Sequence, residues 1–330
     1  MSPRYDGALV ATVGGILDRV RGRRSTLQLS DRDRLDGKTC LVTGANRGLG
    51  LAIASAVAER GAHVVLACRS AATATRDVVR TAAVPGARVD ALHLDLGDLA
   101  RVDAAADEIA RGPAPIDVLV LNAGIVPGRA RRTKDGFDEG FQVNFLANVL
   151  FVRRLVERGV LSCAPGLLPR IVVVSSESHR SSPPIDWASL GVFREWGMRD
   201  AVEQYGYGKL LLQTFAEELA RRLRGRASVH SLCPGAVRSD IGRDAPRWAK
   251  PALAVVMRAF FAAPTVAAVP VVWLAAARAI EGDTGIYLHA HRRRDPRDDA
   301  RDPDSGRRIW NEAERILAAA GHVLAEEHTR

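Results

Sequence analysis

The chain is poor in the features that mark secreted, metal-binding or membrane-spanning proteins. It has only four cysteines in 330 residues: Cys40, Cys68, Cys163 and Cys233. None belongs to a C-x-x-C pair, and Cys40, Cys68 and Cys233 lie in apolar, strand-like runs. Neither a disulfide framework nor a zinc site is expected from that pattern. His179, His230 and His289 lack ligand spacing; each is read as structural or exposed, and no metal is expected. No secretory signal is visible. Long apolar runs are also missing. Ala8–Leu17 is short and holds two glycines, while Arg258, Pro264 and Pro270 interrupt Pro251–Ala277. Neither stretch can form a bilayer-spanning helix. A soluble, cytoplasmic protein is expected, with peripheral membrane contact left open.

Net charge is +9, carried almost wholly by arginine. Such a balance can signal a nucleic-acid partner. Here the basic residues are scattered among Asp and Glu, without a helix-turn-helix, zinc finger or aromatic/basic RNA motif. The arginines read as a solvated surface, and no nucleic-acid partner is expected.

What is present is an alternation of short apolar runs and helical patterns. Strand-like runs occur at 39–43, 63–67, 89–94, 118–121, 171–175, 229–233 and 285–288. Near-continuous apolar strands of this kind are buried on both faces of a parallel sheet. Helical patterns at 50–60, 99–111, 140–157, 204–223 and 264–279 lie between them. They predict an α/β fold of Rossmann type: a doubly wound, seven-stranded parallel sheet with helices on both faces. Residues 1–36 read as an Arg-rich arm and 37–290 as one domain with a substrate lid at about 240–265. Residues 291–330 read as a charged loop, 291–308, followed by a helix from Arg308 to about Glu327.

The first strand runs directly into Gly44, Gly48 and Gly50, and a helix begins there. Glycine lets the backbone turn sharply and approach a phosphate, and the helix end supplies free N–H groups and a positive dipole. The G-x-x-x-G-x-G spacing differs from the G-x-G-x-x-G of most dinucleotide folds. An acid at the end of the second strand would select NAD through its ribose hydroxyls. That strand instead ends Cys68-Arg69-Ser70. A guanidinium suits a 2′-phosphate by charge and fork geometry. Arg69, together with Arg47 inside the glycine turn, therefore predicts NADP(H).

Far downstream, Tyr205 and Lys209 stand four residues apart in a helical pattern. Such a pair shares one face about 6 Å apart. A lysine cation there would stabilise a phenolate by roughly 2–3 kcal/mol, about two pKa units. Tyr205 could then serve as general acid and base. Tyr207 competes for the role, but two residues from Lys209 it falls on another face. Gly206 and Gly208 cost about 1 kcal/mol each in a helix, tolerable where backbone packs closely.

The glycine spacing, Asn122-Ala123-Gly124 after the fourth strand and the Tyr205-x-x-x-Lys209 pair resemble the short-chain dehydrogenase/reductase family. The resemblance covers roughly residues 37–290. It implies that Asn46 and Leu49 of the glycine turn, Asp95-Leu96, Asn122, Ala123 and Gly124, and Pro234, Gly235 and Val237 contact the cofactor. It makes Ser176 the hydrogen-bond donor to substrate, since Ser175 should face back into the sheet. It gives Lys209 the nicotinamide ribose and Asn144 a proton-relay or structural role. Thr133–Phe137, Phe141–Leu146, Cys68-Arg69, Glu218–Leu223, Pro234–Ser239 and the tail around 307–317 resemble the retinol dehydrogenase-like branch. The expected reaction interconverts a small lipophilic alcohol and its aldehyde or ketone. Asp186, Trp187 and Trp196 are expected at the substrate mouth, and Ala249–Phe261 with Trp248 over the pocket. The resemblance also implies homodimerisation through helices of the domain. Two other readings stand beside this one: a non-catalytic NADP-binding sensor or scaffold, and a sugar-nucleotide epimerase on the same fold.

Overall fold

In a computed structural model, residues 27–70, 72–112, 114–161, 166–237 and 262–325 are described. Most of the expected arm, Cys163 and the expected lid over 240–261 with Trp248 lie outside them. Strands β1 (Thr39–Thr43), β2 (His63–Cys68), β3 (Val89–His93), β4 (Val118–Leu121), β5 (Arg170–Val174), β6 (Ser228–Cys233) and β7 (Tyr287–His289) fall where the apolar runs place them. They pair in parallel in the order β3-β2-β1-β4-β5-β6-β7. Strand order reverses between β1 and β4, which opens the crevice where such sheets bind ligands.

One correction concerns the edge. An eighth strand, β8 (Arg292–Arg293), pairs antiparallel with β7. Two arginines carry no apolar signal, and a reversal at Ala290, with φ of 49°, brings them back. The charged stretch after residue 290 thus joins the sheet.

Alternate strand residues face opposite sides of the sheet. Leu41, Leu119, Leu121, Ile171 and Val173 point into one buried cluster. Cys40, Val42, Val120, Val172 and Val174 point into the other. Helix α1 (Gly48–Glu59) covers the second face, and α2 (Ala72–Ala82) packs against α1. Helix α3 (Leu99–Ala110) covers the first, capped by the Asp98 carboxylate on the Arg101 amide. The single helix expected over 140–157 is instead a short α4 (Glu139–Phe141), a π-helical turn (Gln142–Leu146) and α5 (Ala147–Glu157). Side chains explain the break. Gln142 donates to the Leu96 carbonyl and the Asp135 carboxylate, and Asn148 donates to the Val143 carbonyl five residues back.

Helix α6 (Ala201–Arg222) packs on the first face, while α7 (Pro264–Ala276), apolar but for Thr265, packs on the second against α1. After α8 (Asp298–Arg301), the last helix, α9 (Pro303–Ala319), starts five residues earlier than expected. Its start carries ordinary signals that the charge of the stretch obscured: Asp302 caps the Ser305 amide at 2.8 Å and Pro303 sits in the first turn. Its Trp310 stacks on Phe215 of α6, with centroids 5.4 Å apart. The buried Arg153 of α5 and Arg222 of α6 lie over the same indole.

Candidate active site

Gly44 and Gly48 adopt left-handed backbone, with φ of 65° and 54°. Gly50 has no room for a side chain: a Cβ there would lie 2.2 Å from the Gly44 carbonyl oxygen. The N-terminus of α1 follows at once, and Arg47 provides no side-chain cap to it. The turn thus presents amides and a dipole end to an anion, which fits a pyrophosphate. Its floor is tied to β4. The Asn122 amide group donates to the Thr43 carbonyl at 2.9 Å, and the Thr43 hydroxyl accepts from the Asn122 and Ala123 amides at 3.0 Å each. Thr43 was not singled out in the sequence, since a hydroxyl ending an apolar strand gives little signal. Leu49 is half-buried against the second core face.

The register sets Thr43 opposite Ala67, so the turn lies beside Cys68-Arg69-Ser70. The Asn46 side chain donates to the Ser70 carbonyl at 3.5 Å. Arg47 and Arg69 are exposed on either side of that contact, and no acid ends β2. Next to β2, Asp95 accepts from the Gly97 amide at 2.9 Å, and Leu96 is buried. Asp135 anchors this loop by accepting from the Leu99 amide and from Gln142.

The catalytic candidates converge from β5, the π turn and α6. Lys209 is buried and donates to the Val174 carbonyl at 2.8 Å, two residues before Ser176. The Ser176 side chain acts on the Tyr205 phenol to favour its ionised form, while its hydroxyl donates to the Ser178 hydroxyl at 3.1 Å. The Lys209 ammonium sits 5.9 Å from the centre of the Tyr205 ring. The Asn144 side chain spans the backbone of Ile125, accepting from its amide and donating to its carbonyl, both at 2.9 Å. Gly124 fits between them: a Cβ there would come 3.1 Å from Asn144 Oδ1 and 3.5 Å from Lys209 Nζ. Ser175 faces into the sheet, 2 % exposed, whereas Ser176 opens a 3₁₀ turn, Glu177–Arg180, and its hydroxyl accepts from the Ser178 amide.

The glycines beside Tyr207 also acquire a reason. A Cβ on Gly206 would lie 2.8 Å from the Ser178 carbonyl oxygen, and one on Gly208 would lie 3.4 Å from Asn144 Cβ. They let α6 press against the Ser176 turn and the π turn. Tyr207 points elsewhere, its hydroxyl accepting from the Asp186 amide at 3.2 Å.

Burial acts on both members of the Tyr205–Lys209 pair. Burial pushes the Tyr205 phenol up to about 12, aided by the nearby Cys233 and opposed by the Ser176 hydrogen bond. Burial lowers Lys209 to about 8. Desolvation disfavours the charged form of each group, and the ammonium is held on the Val174 carbonyl.

Beyond β6, Gly235 takes a φ of 82° and its amide reaches the Cys233 sulfur at 3.4 Å. Pro234 lies between these two residues, and Val237 bridges to Ala262. Asp186 and Trp196 line a cavity of about 350 Å³ with Phe141, Arg194 and Tyr207. It opens beside Gly208 rather than Tyr205. Trp187 is not among its walls; Arg308 lies 4.6 Å over its ring. His179 and His230 are buried, and burial lowers them to about 4 and about 3.

The parallel sheet with its strand-order reversal and glycine turn fits a dinucleotide-dependent oxidoreductase, and the chain belongs to the short-chain dehydrogenase/reductase family. The family profile for short chain dehydrogenase matches residues 38–185. Its curated relatives place it in the retinol dehydrogenase-like branch. It is 32% identical to retinol dehydrogenase 13 of Mus musculus, over 87% of this chain and 85% of that one. It is 34% identical to retinol dehydrogenase 14 of the same species, over 93% and 96%. Among solved structures, an uncharacterized protein from Mycobacterium paratuberculosis superposes with a TM-score of 0.67 at 25% identity, covering 89% of this chain and 97% of that one. The chain is therefore an oxidoreductase acting on CH–OH or C=O groups with a nicotinamide cofactor. Among the described residues, no helix is long and apolar enough to cross a membrane.

Proposed function

We propose that this protein is an NADP(H)-dependent oxidoreductase that interconverts a lipophilic alcohol and its aldehyde or ketone, with Tyr205 as general acid/base. The carrying observation is the meeting of Tyr205, Ser176 and Lys209 beside the strands that bear the glycine turn. Retinol, after which the similar dehydrogenases are named, is a lipophilic alcohol, which supports that substrate class. Arg47 and Arg69, with no acid after β2, support NADP(H).

Bound reduced nicotinamide would supply the hydride. The chain's own residues handle the oxygen. The Ser176 hydroxyl donates to the carbonyl and orients it. The Tyr205 phenol, protonated at neutral pH, passes its proton to that oxygen as negative charge develops. The Lys209 cation stabilises the resulting phenolate. Burial pushes the phenol up to about 12, so it rests protonated at neutral pH and holds the proton that carbonyl reduction requires. Asn144 fixes the Ile125 backbone beside Lys209. The segment at about 240–265 would cover the substrate.

Nicotinamide absorbance against retinoids, steroids, aliphatic aldehydes and quinones tests this reading. NADPH and NADH are run side by side, with Tyr205→Phe as control. Turnover with NADPH should fall by about 10²–10⁴ in the variant, with NADPH binding kept. Binding without turnover of any carbonyl would favour the sensor reading.

A further inference from the structure

The turn that carries Ser176 is a four-residue 3₁₀ helix, Glu177–Arg180. Such turns are too short to hold themselves rigid. Its own backbone supplies weak closure: the His179 amide reaches the Ser176 carbonyl at 3.1 Å, and the Ser181 amide reaches that of Ser178 at 3.3 Å. A hydroxyl that must orient a substrate oxygen needs firmer support, since a displacement near 1 Å can cost about 10² in rate.

That support comes from more than a hundred residues downstream. The buried His179 ring bridges Ser176 and Arg297: Nδ1 lies 2.6 Å from the Ser176 carbonyl, and Nε2 lies 3.2 Å from the Arg297 amide. A backbone amide can only donate, so Nε2 is the acceptor and Nδ1 carries the proton. The ring is therefore neutral and in one tautomer, in keeping with its burial-lowered pKa of about 4. The Arg297 guanidinium donates to the His179 carbonyl at 3.1 Å and also to the Ser182 carbonyl. Asp299 aligns it, accepting from Nε at 2.6 Å. The neighbouring Glu177 is held by the Tyr287 hydroxyl at 2.6 Å and by Arg294 and Arg180 at 2.9 and 2.8 Å. Residues 287–299, far away in sequence, thus grip the turn from both sides.

We propose that Arg297 is a positioning residue for Ser176: its guanidinium fastens the His179 and Ser182 carbonyls, which keeps the His179 imidazole on the Ser176 carbonyl, so that the charged segment after β8 supports the catalytic apparatus. This rests on the reading of Ser176 as the substrate's hydrogen-bond donor, and its test has one readout that does not.

Hydrogen exchange on the full chain compares wild type, Arg297→Ala and Arg297→Lys. The peptide spanning 175–182 should exchange at least about tenfold faster in Arg297→Ala, with residues 44–60 unchanged. In the turnover assay above, kcat should fall about tenfold to a hundredfold, while KM and the NADPH dissociation constant hold. Arg297→Lys, which can reach one of the two carbonyls, should fall between. Unchanged exchange at 175–182, or faster exchange spread equally to 44–60, would overturn the proposal, as would wild-type kcat in Arg297→Ala. Full turnover by Tyr205→Phe would instead sink the catalytic reading and leave the exchange result to decide the positioning.

Discussion

The two halves of the site are held by different means. The glycine turn after β1 is fixed by backbone: two left-handed glycines, a third with no space for a Cβ, and Thr43 and Asn122 joining adjacent strands. The Ser176 turn after β5 is fixed by side chains from β7 and from the loop beyond β8: Tyr287, Arg294 and Arg297. The first half needs only its neighbours in the sheet. The second depends on residues that arrive last in the chain. Phosphate binding can use generic amides, whereas proton transfer needs particular atoms at set distances, and those require a supporting shell.

The sharpest way to break that comparison is a matched pair of methyl groups. Gly50→Ala drives a Cβ into the Gly44 carbonyl oxygen at 2.2 Å. It should cost about 3 kcal/mol and weaken NADPH binding on the order of a hundredfold. Gly206→Ala presses on the Ser178 carbonyl at 2.8 Å. It should lower kcat by about tenfold to a hundredfold and leave NADPH binding intact. Isothermal titration and turnover measured on both variants give the answer. If each variant damaged both functions equally, the halves would not be separable.

Acid tests the catalytic half next. Burial lowers His179 from 6.5 to about 4, despite the Ser176 carbonyl and Glu177, which act the other way; Arg180 and Arg297 add to the lowering. The unfolded chain therefore binds this proton more readily. The stability that the neutral ring provides is complete above the unfolded value and is lost as pH falls through 6.5 towards 4. Between pH 7 and 5 the loss is about 2 kcal/mol from this group. Denaturant midpoints of wild type and His179→Gln at the two pH values should differ in slope by that amount. Equal slopes would mean that the ring is not buried neutral.

The smallest expected effect is on nucleotide choice. Arg69 is exposed at the end of β2. Arg69→Ala should weaken NADPH by about tenfold and leave NADH unchanged. Equal weakening of both would remove the 2′-phosphate role.

Much of this was legible in the sequence. The seven parallel strands follow from runs such as Val118–Leu121, whose apolar character on both faces fits only a covered sheet. The spacing of Tyr205 and Lys209 placed them on one helix face whatever the surroundings. The π turn at Asn144 was not legible, because it is accompanied by side-chain bonds to the loop residues Leu96 and Ile125, which helical periodicity does not report. Nor was the fate of Trp187, whose ring lies beneath Arg308 of α9.

The sequence by itself determined the parallel strands, the glycine turn and the placing of Tyr205 and Lys209 on one helix face, because periodicity and short spacings act through local backbone geometry. Tertiary structure alone decided the ionisation and the rigidity of the catalytic groups. Burial pushes the Tyr205 phenol up to about 12 and lowers Lys209 to about 8, since desolvation depends on everything packed around each group. The stretch 291–308, which reads as a charged loop, contains a clamp because folding brings Arg294 and Arg297 against carbonyls and a carboxylate that lie more than a hundred residues earlier.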